Sequence, residues 1–199
     1  RRTKEGKAIY ADAMAASAGK TMVRSEDWEI ARAMREACSE HPAFNSLFGG
    51  NGNNELSVFW TDEVTGLPCK LRADRVVELP GFGMVCVDLK TTADASADAF
   101  AKTVNKFGYH LQAAFYLEGL ALAGMPCEHF VMMAVESEPP HCVAVYALDD
   151  DAMEQGRKDC RQLKWNYAAC VKSGVWPAYP AKIQKLSLPR WAFENIENN

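Results

Sequence analysis

The side chains best suited to metal or phosphate chemistry lie in the stretch Met84–Lys90. Side chains alternate along a strand, so Asp88 and Lys90 would share one face and continue an apolar stripe from Met84 and Cys86. A charge in such a stripe needs a partner or a metal ion. A carboxylate beside an ammonium meets that need, because the acid binds a hard cation while the lysine faces a phosphate. The alternative is a surface ion pair at the edge of a sheet.

Two further acids would extend this pair. A Pro-Gly turn predicts a hairpin in which Asp74 and Asp88 lie at comparable distances from the turn and face each other. Two close carboxylates repel unless a divalent cation neutralises them. Glu55, where a loop enters the preceding strand, could reach the same cation directly or through water. The alternatives are an ion pair of Asp74 with Arg72 or Arg75, and an exposed Glu55.

A polar stripe lies on the predicted helix Tyr109–Ala123. Gln112 and Tyr116 are four residues apart, and Tyr109 precedes Gln112 by three, so all three lie on one helix face. The neighbouring residues are mostly Ala, Leu and Phe. Such a stripe either supports a neighbouring strand or contacts a ligand, and the pattern leaves both open.

Hydrophobic periodicity and turn residues predict the elements that position these side chains. A helix should follow an N-cap at Ser25 and end near Glu40, and a final long helix should run from Asp149–Asp151 to Gly174. The predicted strands are Leu56–Thr61, Cys69–Leu79, Met84–Lys90, Glu128–Glu136 and Cys142–Leu148, with Gly49–Asn54 as a loop. The order of helices and strands predicts an α/β or α+β domain with helices packed on a central sheet.

Composition limits the class of protein. The chain has 199 residues, which fits a single domain over residues 1–199, and its formal net charge of −4 disfavours a nonspecific nucleic-acid coat. It has seven Cys and no C-x-x-C spacing, which indicates buried thiols in a cytoplasmic protein and no iron–sulfur cluster. No apolar run is long enough to cross a membrane. The chain begins without Met, so we expect it to be a C-terminal fragment of a longer protein.

The order and spacing of four segments carry a family resemblance. The segments are Arg24–Trp28, Glu55–Trp60, Val87–Thr92 and Tyr109–Tyr116. Together they resemble the RecE-type exonuclease domain, also called exodeoxyribonuclease VIII, in the RecB-like branch of the PD-(D/E)xK nuclease superfamily. The resemblance covers roughly residues 3–180, and lambda exonuclease is similar at a greater distance. The cysteines that bind an iron–sulfur cluster in some RecB-like nucleases have no match here.

The resemblance implies a PD-(D/E)xK core, a central mixed sheet flanked by helices. It implies a Mg²⁺-dependent exodeoxyribonuclease that degrades linear double-stranded DNA processively from 5′ to 3′ and leaves 3′ single strands for recombination by strand annealing. Mn²⁺ would substitute for Mg²⁺, and Lys90 would act on the attacking water. The implied metal ligands are Asp74, Asp88, the main-chain carbonyl of Leu89, and Glu55 in support. The implied DNA-binding residues are Gln112, Tyr116, Tyr109 and Arg24.

Partners and alternatives complete the expectations. The implied partners are double-stranded DNA ends, a closed ring of three or four identical subunits, and a single-strand annealing protein. The apolar tail Leu186–Phe193 would fold back on its core or pack against a neighbour, and the stripe of Arg157, Arg161 and Lys164 would contact DNA, a neighbour or solvent. The competing functions are an endonuclease with the same metal chemistry, a DNA-binding module without catalysis, and a structural or partner-binding domain.

Overall fold

The computed structural model describes residues 3–193, except for the side chain of Trp191. The three groups of helices and the two groups of strands follow one another in the predicted order, with three strands before the central helices and two after them. The helices are α1 (Lys4–Ala16), α2 (Ser25–Glu40), α3 (Phe44–Phe48), α4 (Ala97–Phe107), α5 (Tyr109–Leu122) and α6 (Asp150–Ser173), with a 3₁₀ turn at Arg190–Ala192. The strands are β1 (Gly52–Thr61), β2 (Pro68–Leu79), β3 (Gly83–Thr92), β4 (His129–Glu136) and β5 (Val143–Ala147). No helix within residues 3–193 is both long and apolar enough to span a membrane.

The five strands form one mixed sheet in the order β1-β2-β3-β4-β5. Three of the four strand pairs are antiparallel, and β3 pairs with β4 in parallel. A parallel pair needs a crossover, and α4 and α5 provide it. This crossover brings α5 back across the sheet beside β3, so the structure confirms the predicted sheet flanked by helices.

Two apolar clusters cover the two faces of this sheet. The cluster beneath α4, α5 and α6 includes Phe100, Leu120 and Met132, and the cluster beneath α2 and α3 includes Leu47 and Val87. Because both faces are covered, β3 and β4 are buried along most of their length, as parallel strands usually are. Helix α5 therefore lies between the sheet and α6, where its position is fixed from both sides.

A close crossing of α5 and α6 depends on glycine. A Cβ at Gly156 would lie 2.3 Å from the carbonyl oxygen of His110. The absence of a side chain therefore lets α6 contact the backbone of α5. Since α5 carries the polar stripe, this contact fixes the helix that faces the acids of β2 and β3.

Two local predictions were wrong, and one short helix was missed. Strand β1 begins at Gly52 and not at Leu56, because Gly52–Asn54 pair with β2 and the buried guanidinium of Arg75 donates to Asn54 Oδ1 at 2.7 Å. Ser25 is not the N-cap of α2, because Arg24 takes that position and its guanidinium pairs with Asp27. Helix α3 was not predicted, since five residues are too few to show a helical period.

Candidate active site

The two central acids lie where β2 and β3 separate. The ladder between these strands runs to the pair Arg75–Val87, so the next residues, Asp74 and Asp88, lie across from each other on one face. The carboxylate of Asp74 accepts a hydrogen bond from the backbone N–H of Leu89 at 3.0 Å. A side chain thus satisfies a backbone donor at the end of the ladder. Both acids lie at this point of separation between β2 and β3, which we call the fork.

Lys90 is held at this fork by three groups. Its Nζ lies 2.6 Å from Asp88 Oδ2 and donates to Gln112 Oε1 at 2.7 Å. It also lies 4.2 Å from the centroid of the Tyr109 ring, a distance typical of a cation–π contact. Three contacts of different kinds fix a side chain that would otherwise be flexible, so the ammonium is held beside Asp88.

The amide of Gln112 joins the acid to the lysine. While its oxygen accepts from Lys90, its Nε2 donates to Asp88 Oδ1 at 2.6 Å. The break between α4 and α5 makes this possible, because Gly108 at φ 68° is left-handed and starts α5 in a new direction. Tyr109 and Gln112 then lie in the first turn of α5, next to the second half of β3 where Asp88 and Lys90 are found.

Burial dominates the electrostatics of Asp88, whose residue surface is 3% exposed. Burial raises the pKa of the Asp88 carboxyl, the hydrogen bond and charge of Lys90 oppose that shift, and the charge of Asp74 adds to it, so the pKa remains raised. Within the described residues, Asp88 Oδ2 has no hydrogen-bond partner besides the ammonium of Lys90 beside it. A buried carboxylate oxygen with spare acceptor capacity is suited to a cation.

The donor set fits a hard divalent ion that keeps much of its own water. Residues 3–193 contain no group of three or more His, Cys, Asp or Glu side chains arranged to hold a metal. Two carboxylates at one fork nevertheless match Mg²⁺, which commonly takes one or two carboxylates and completes its shell with waters and phosphate oxygens. The arrangement can therefore hold a cation beside a phosphodiester, but it does not resemble a closed structural metal site.

The third predicted acid, Glu55, is engaged elsewhere. The flanking pairs Asn54–Arg75 and Leu56–Ala73 place Glu55 across from Asp74 on β1. Its backbone is left-handed at φ 51°, and its carboxylate pairs with Arg72 at 2.9 Å while the side chain is 60% exposed. Glu55 thus lies near the fork in sequence register, but its charge is directed to an arginine.

The arginines beside Asp74 are not its partners. Arg75 is buried and donates to the main-chain carbonyls of Leu47 and Gly49. Arg72 pairs with Glu55. Within residues 3–193, neither arginine forms an ion pair with Asp74. This carboxylate therefore accepts from the N–H of Leu89 and can accept a further partner at the fork.

Two other predicted site residues lie apart from the acids. The ring of Tyr116 packs edge-on against Phe130, with ring centroids 6.1 Å apart. The exposed guanidinium of Arg24 pairs with Asp27 at the start of α2. In the described part of the chain, the structure gives neither side chain a contact with Asp74 or Asp88.

A second buried ion cluster was missed. Lys164 donates to Asp62 and, at 2.7 Å, to Glu118, so it does not join Arg157 and Arg161 in the stripe that was expected to contact DNA, a neighbour or solvent. Burial raises the pKa of Asp62, but hydrogen bonds from Lys164 and Thr65 outweigh this and lower it to about 2. The cluster joins α6 to the β1–β2 turn and to α5. No local pattern links residues that are 102 positions apart.

A mixed sheet with an acid on each of two adjacent strands, and a lysine two residues after the second acid, defines a PDDEXK-type nuclease fold. The model of a family described as "PDDEXK-like domain of unknown function (DUF3799)" matches residues 3–189, and the chain belongs to that family.

One solved structure shows the same fold. The chain resembles a "Putative exonuclease" from Eubacterium rectale with a TM-score of 0.58 and 14% identity, over 88% of this chain and 67% of that one. It also matches a protein named SSO0001 with a TM-score of 0.37 and 20% identity, over 77% of each chain. At 14% identity, the likeness to the putative exonuclease concerns the fold alone. No curated protein sequence matches the chain.

Proposed function

We propose that this protein is a Mg²⁺-dependent exodeoxyribonuclease that degrades linear double-stranded DNA processively from 5′ to 3′ and leaves 3′ single strands for strand annealing. The observation that carries the proposal is the buried network of Asp88, Lys90 and Gln112 beside Asp74. Membership in the PDDEXK-like family supports the hydrolytic class. The resemblance to RecE-type domains supports the substrate and the polarity.

In the proposed site, Asp74, Asp88 and the main-chain carbonyl of Leu89 hold Mg²⁺, and Mn²⁺ substitutes for it. When bound, the divalent ion lowers the pKa of a water molecule and offsets charge on the scissile phosphate. Asp74 is already oriented by the N–H of Leu89, and Asp88 by the amide of Gln112. Glu55 supports the same ion through water after its carboxylate leaves Arg72.

Lys90 is the proposed catalytic cation. Its side chain orients the attacking water or, as the neutral amine, takes a proton from it, and in its ammonium form it stabilises the charge that develops on the phosphate. The ring of Tyr109 and the oxygen of Gln112 keep Nζ at the fork when Asp88 turns toward another partner. The lysine is therefore positioned before substrate arrives, and such preorganisation is a main source of electrostatic catalysis.

The proposed DNA contacts come from the resemblance. Tyr109 and Gln112 lie at the fork and would guide the strand that is cut, while Tyr116 would position that strand from further along α5. Arg24 would bind a backbone phosphate, which requires its guanidinium to exchange Asp27 for the phosphate.

We further propose a closed ring of three or four subunits that retains DNA ends between catalytic steps, with a single-strand annealing protein as its partner. A ring captures a duplex by topology, which suits a chain of net charge −4. Leu186 in the tail Leu186–Phe193 is 98% exposed, so the tail does not fold back on the core as a whole and is free to pack against a neighbouring subunit. Sedimentation of Leu186→Asp should show smaller species than wild type, while Val64→Asp at another exposed site should not.

One assay tests the activity. End-labelled linear duplex and closed circular DNA are incubated with and without Mg²⁺, using wild type, Asp88→Asn and Lys90→Met. We expect loss of the linear substrate only, dependence on Mg²⁺, and a fall of orders of magnitude in both variants. Glu63→Gln, an exposed acid in the β1–β2 turn, is the matched control and should cleave like wild type.

The same assay separates the alternatives. Nicking or linearisation of the circle would indicate an endonuclease. Binding of duplex without cleavage would indicate a DNA-binding module. Full activity in Asp88→Asn with unchanged melting would refute the assigned site.

A further inference from the structure

The second half of α6 and the segment after it are unusually basic for this chain. Residues 160–185 contain five Lys or Arg and no Asp or Glu. The remaining residues then contain 17 basic and 26 acidic residues, a formal net charge of −9. Such a one-sided distribution attracts a polyanion to one part of an otherwise acidic protein.

The free positive charges of this segment are lysines. Lys164 is neutralised by Asp62 and Glu118, and Arg161 lies 3.4 Å from Glu154. In contrast, Lys172, Lys182 and Lys185 are exposed, and within residues 3–193 no carboxylate lies within ion-pair distance of them. Three unpaired ammonium groups are therefore available to an external anion.

Aromatic rings are interleaved with these lysines and face solvent. Trp165 is 55% exposed, Trp176 54% and Tyr179 97%. On α6, Arg161, Trp165 and Lys172 follow the helical period and share one face. The rings of Tyr167 and Trp176 meet edge-on, with centroids 5.4 Å apart, so the segment after Gly174 turns back beside the end of the helix.

We propose that this basic aromatic segment, residues 160–185, binds single-stranded DNA. Exposed rings stack on unpaired bases, whereas the bases of a duplex are already stacked on one another. The lysines would contact the phosphates between stacked bases. The assignment of single-stranded DNA as the ligand of this segment rests on the proposed function. In that function, the strand that is not digested becomes single-stranded and needs a binding surface outside the cleavage site.

Charge chemistry favours a polynucleotide over a second copy of the chain. Tyr and Trp are enriched at both kinds of surface, but Lys is depleted at protein–protein interfaces. All three unpaired cations here are lysines. The apolar tail proposed to contact a neighbouring subunit begins only after Lys185.

The test is binding of a fluorescent oligothymidine of about 20 nucleotides to the full chain in chelator, followed by anisotropy. Stacking contributes enough per base that Trp165→Ala and Tyr179→Ala should each weaken binding by roughly 5- to 160-fold. Tyr179→Phe keeps the ring and should bind like wild type. Phe59→Ala removes an exposed ring of β1 and is the matched control.

Salt dependence tests the lysines separately. Replacing Lys172, Lys182 and Lys185 with Gln should reduce the slope of log affinity against log salt by about 2. Lys102→Gln on α4 should leave the slope unchanged. Wild-type affinity and slope in the segment variants would overturn the proposal, as would a change in their sedimentation with no change in binding, which would assign the segment to a subunit contact.

The result is distinguishable from failure of the proposed function. Binding is measured without metal, and Asp88→Asn should bind the oligonucleotide like wild type. If Asp88→Asn still cleaves DNA, the proposed active site fails while the single-strand surface stands. If Asp88→Asn is inactive but the segment variants bind normally, the surface fails alone.

Discussion

Replacing Gln112 with Leu tests the network that holds the acid and the lysine together. The substitution keeps a similar volume but removes both hydrogen bonds, at 2.6 Å to Asp88 and 2.7 Å to Lys90. A hydrogen bond to a charged group contributes about 1.5–3 kcal/mol. Asp88 and Lys90 retain each other, so we expect the lower end for each bond and a total loss of about 3 kcal/mol.

This loss has two measurable consequences. Melting should fall by roughly 6–12 °C, since about 1 kcal/mol shifts the melting temperature of a domain this size by about 2–4 °C. Cleavage should fall by about 100-fold in kcat with little change in KM, because a small misplacement of reacting groups has an effect of that order. Circular dichroism melts and single-turnover cleavage at saturating Mg²⁺ would measure both.

Gln155→Leu is the matched control for this substitution. Gln155 is an exposed glutamine on α6 whose amide donates to Asp159 at 2.9 Å, so its loss should change the free energy of unfolding by less than about 1 kcal/mol. Wild-type melting and cleavage in Gln112→Leu would refute the network. A lowered melting temperature with normal kcat would reduce Gln112 to a structural residue.

Three further predictions concern charge and packing. Because the pKa of Asp88 is raised, its ionised form costs stability, so wild type should lose stability relative to Asp88→Asn as pH rises above about 4 in chelator; parallel melting curves across pH 3–8 would contradict this. The pKa of Asp62 is lowered to about 2, so its interactions with Lys164 and Thr65 together should stabilise the fold by about 2 kcal/mol above pH 4, and urea titrations of wild type and Asp62→Asn should converge as pH falls toward 2. Gly156→Ala should destabilise the protein by about 1–3 kcal/mol, because the Cβ of the alanine would lie 2.3 Å from the backbone oxygen of His110. An unchanged melting temperature would show that α5 and α6 can move apart at no cost.

The sequence alone determined the five strands, the longer helices and the order in which they occur. Alternation of apolar residues and the turn residues around them predicted five strands, because the pleat and the turn are local properties of the chain. The same alternation placed Asp88 and Lys90 on one face. The end of α6 at Gly174 could also be predicted, since a left-handed C-cap favours glycine at a single position.

Tertiary structure decided which side chains became partners. Glu55 and Arg72 are joined across two strands, and Lys164 meets Asp62 from 102 residues away. A sequence pattern gives the face on which a side chain lies, but not which of several opposite charges it will contact. That choice depends on the packing of α6 and of the β1–β2 turn against the same core.

The hydrogen-bond partners of Gln112 were likewise decided by the tertiary structure. Its place on a polar stripe could be predicted from a period of 3.6 residues, but the pattern left both support of a strand and contact with a ligand open. The α4–α5 crossover brings this stripe onto β3, so the amide bonds to Asp88 and Lys90. Local sequence sets the stripe, while long-range packing sets what the stripe faces, because the second depends on contacts between residues far apart in the chain.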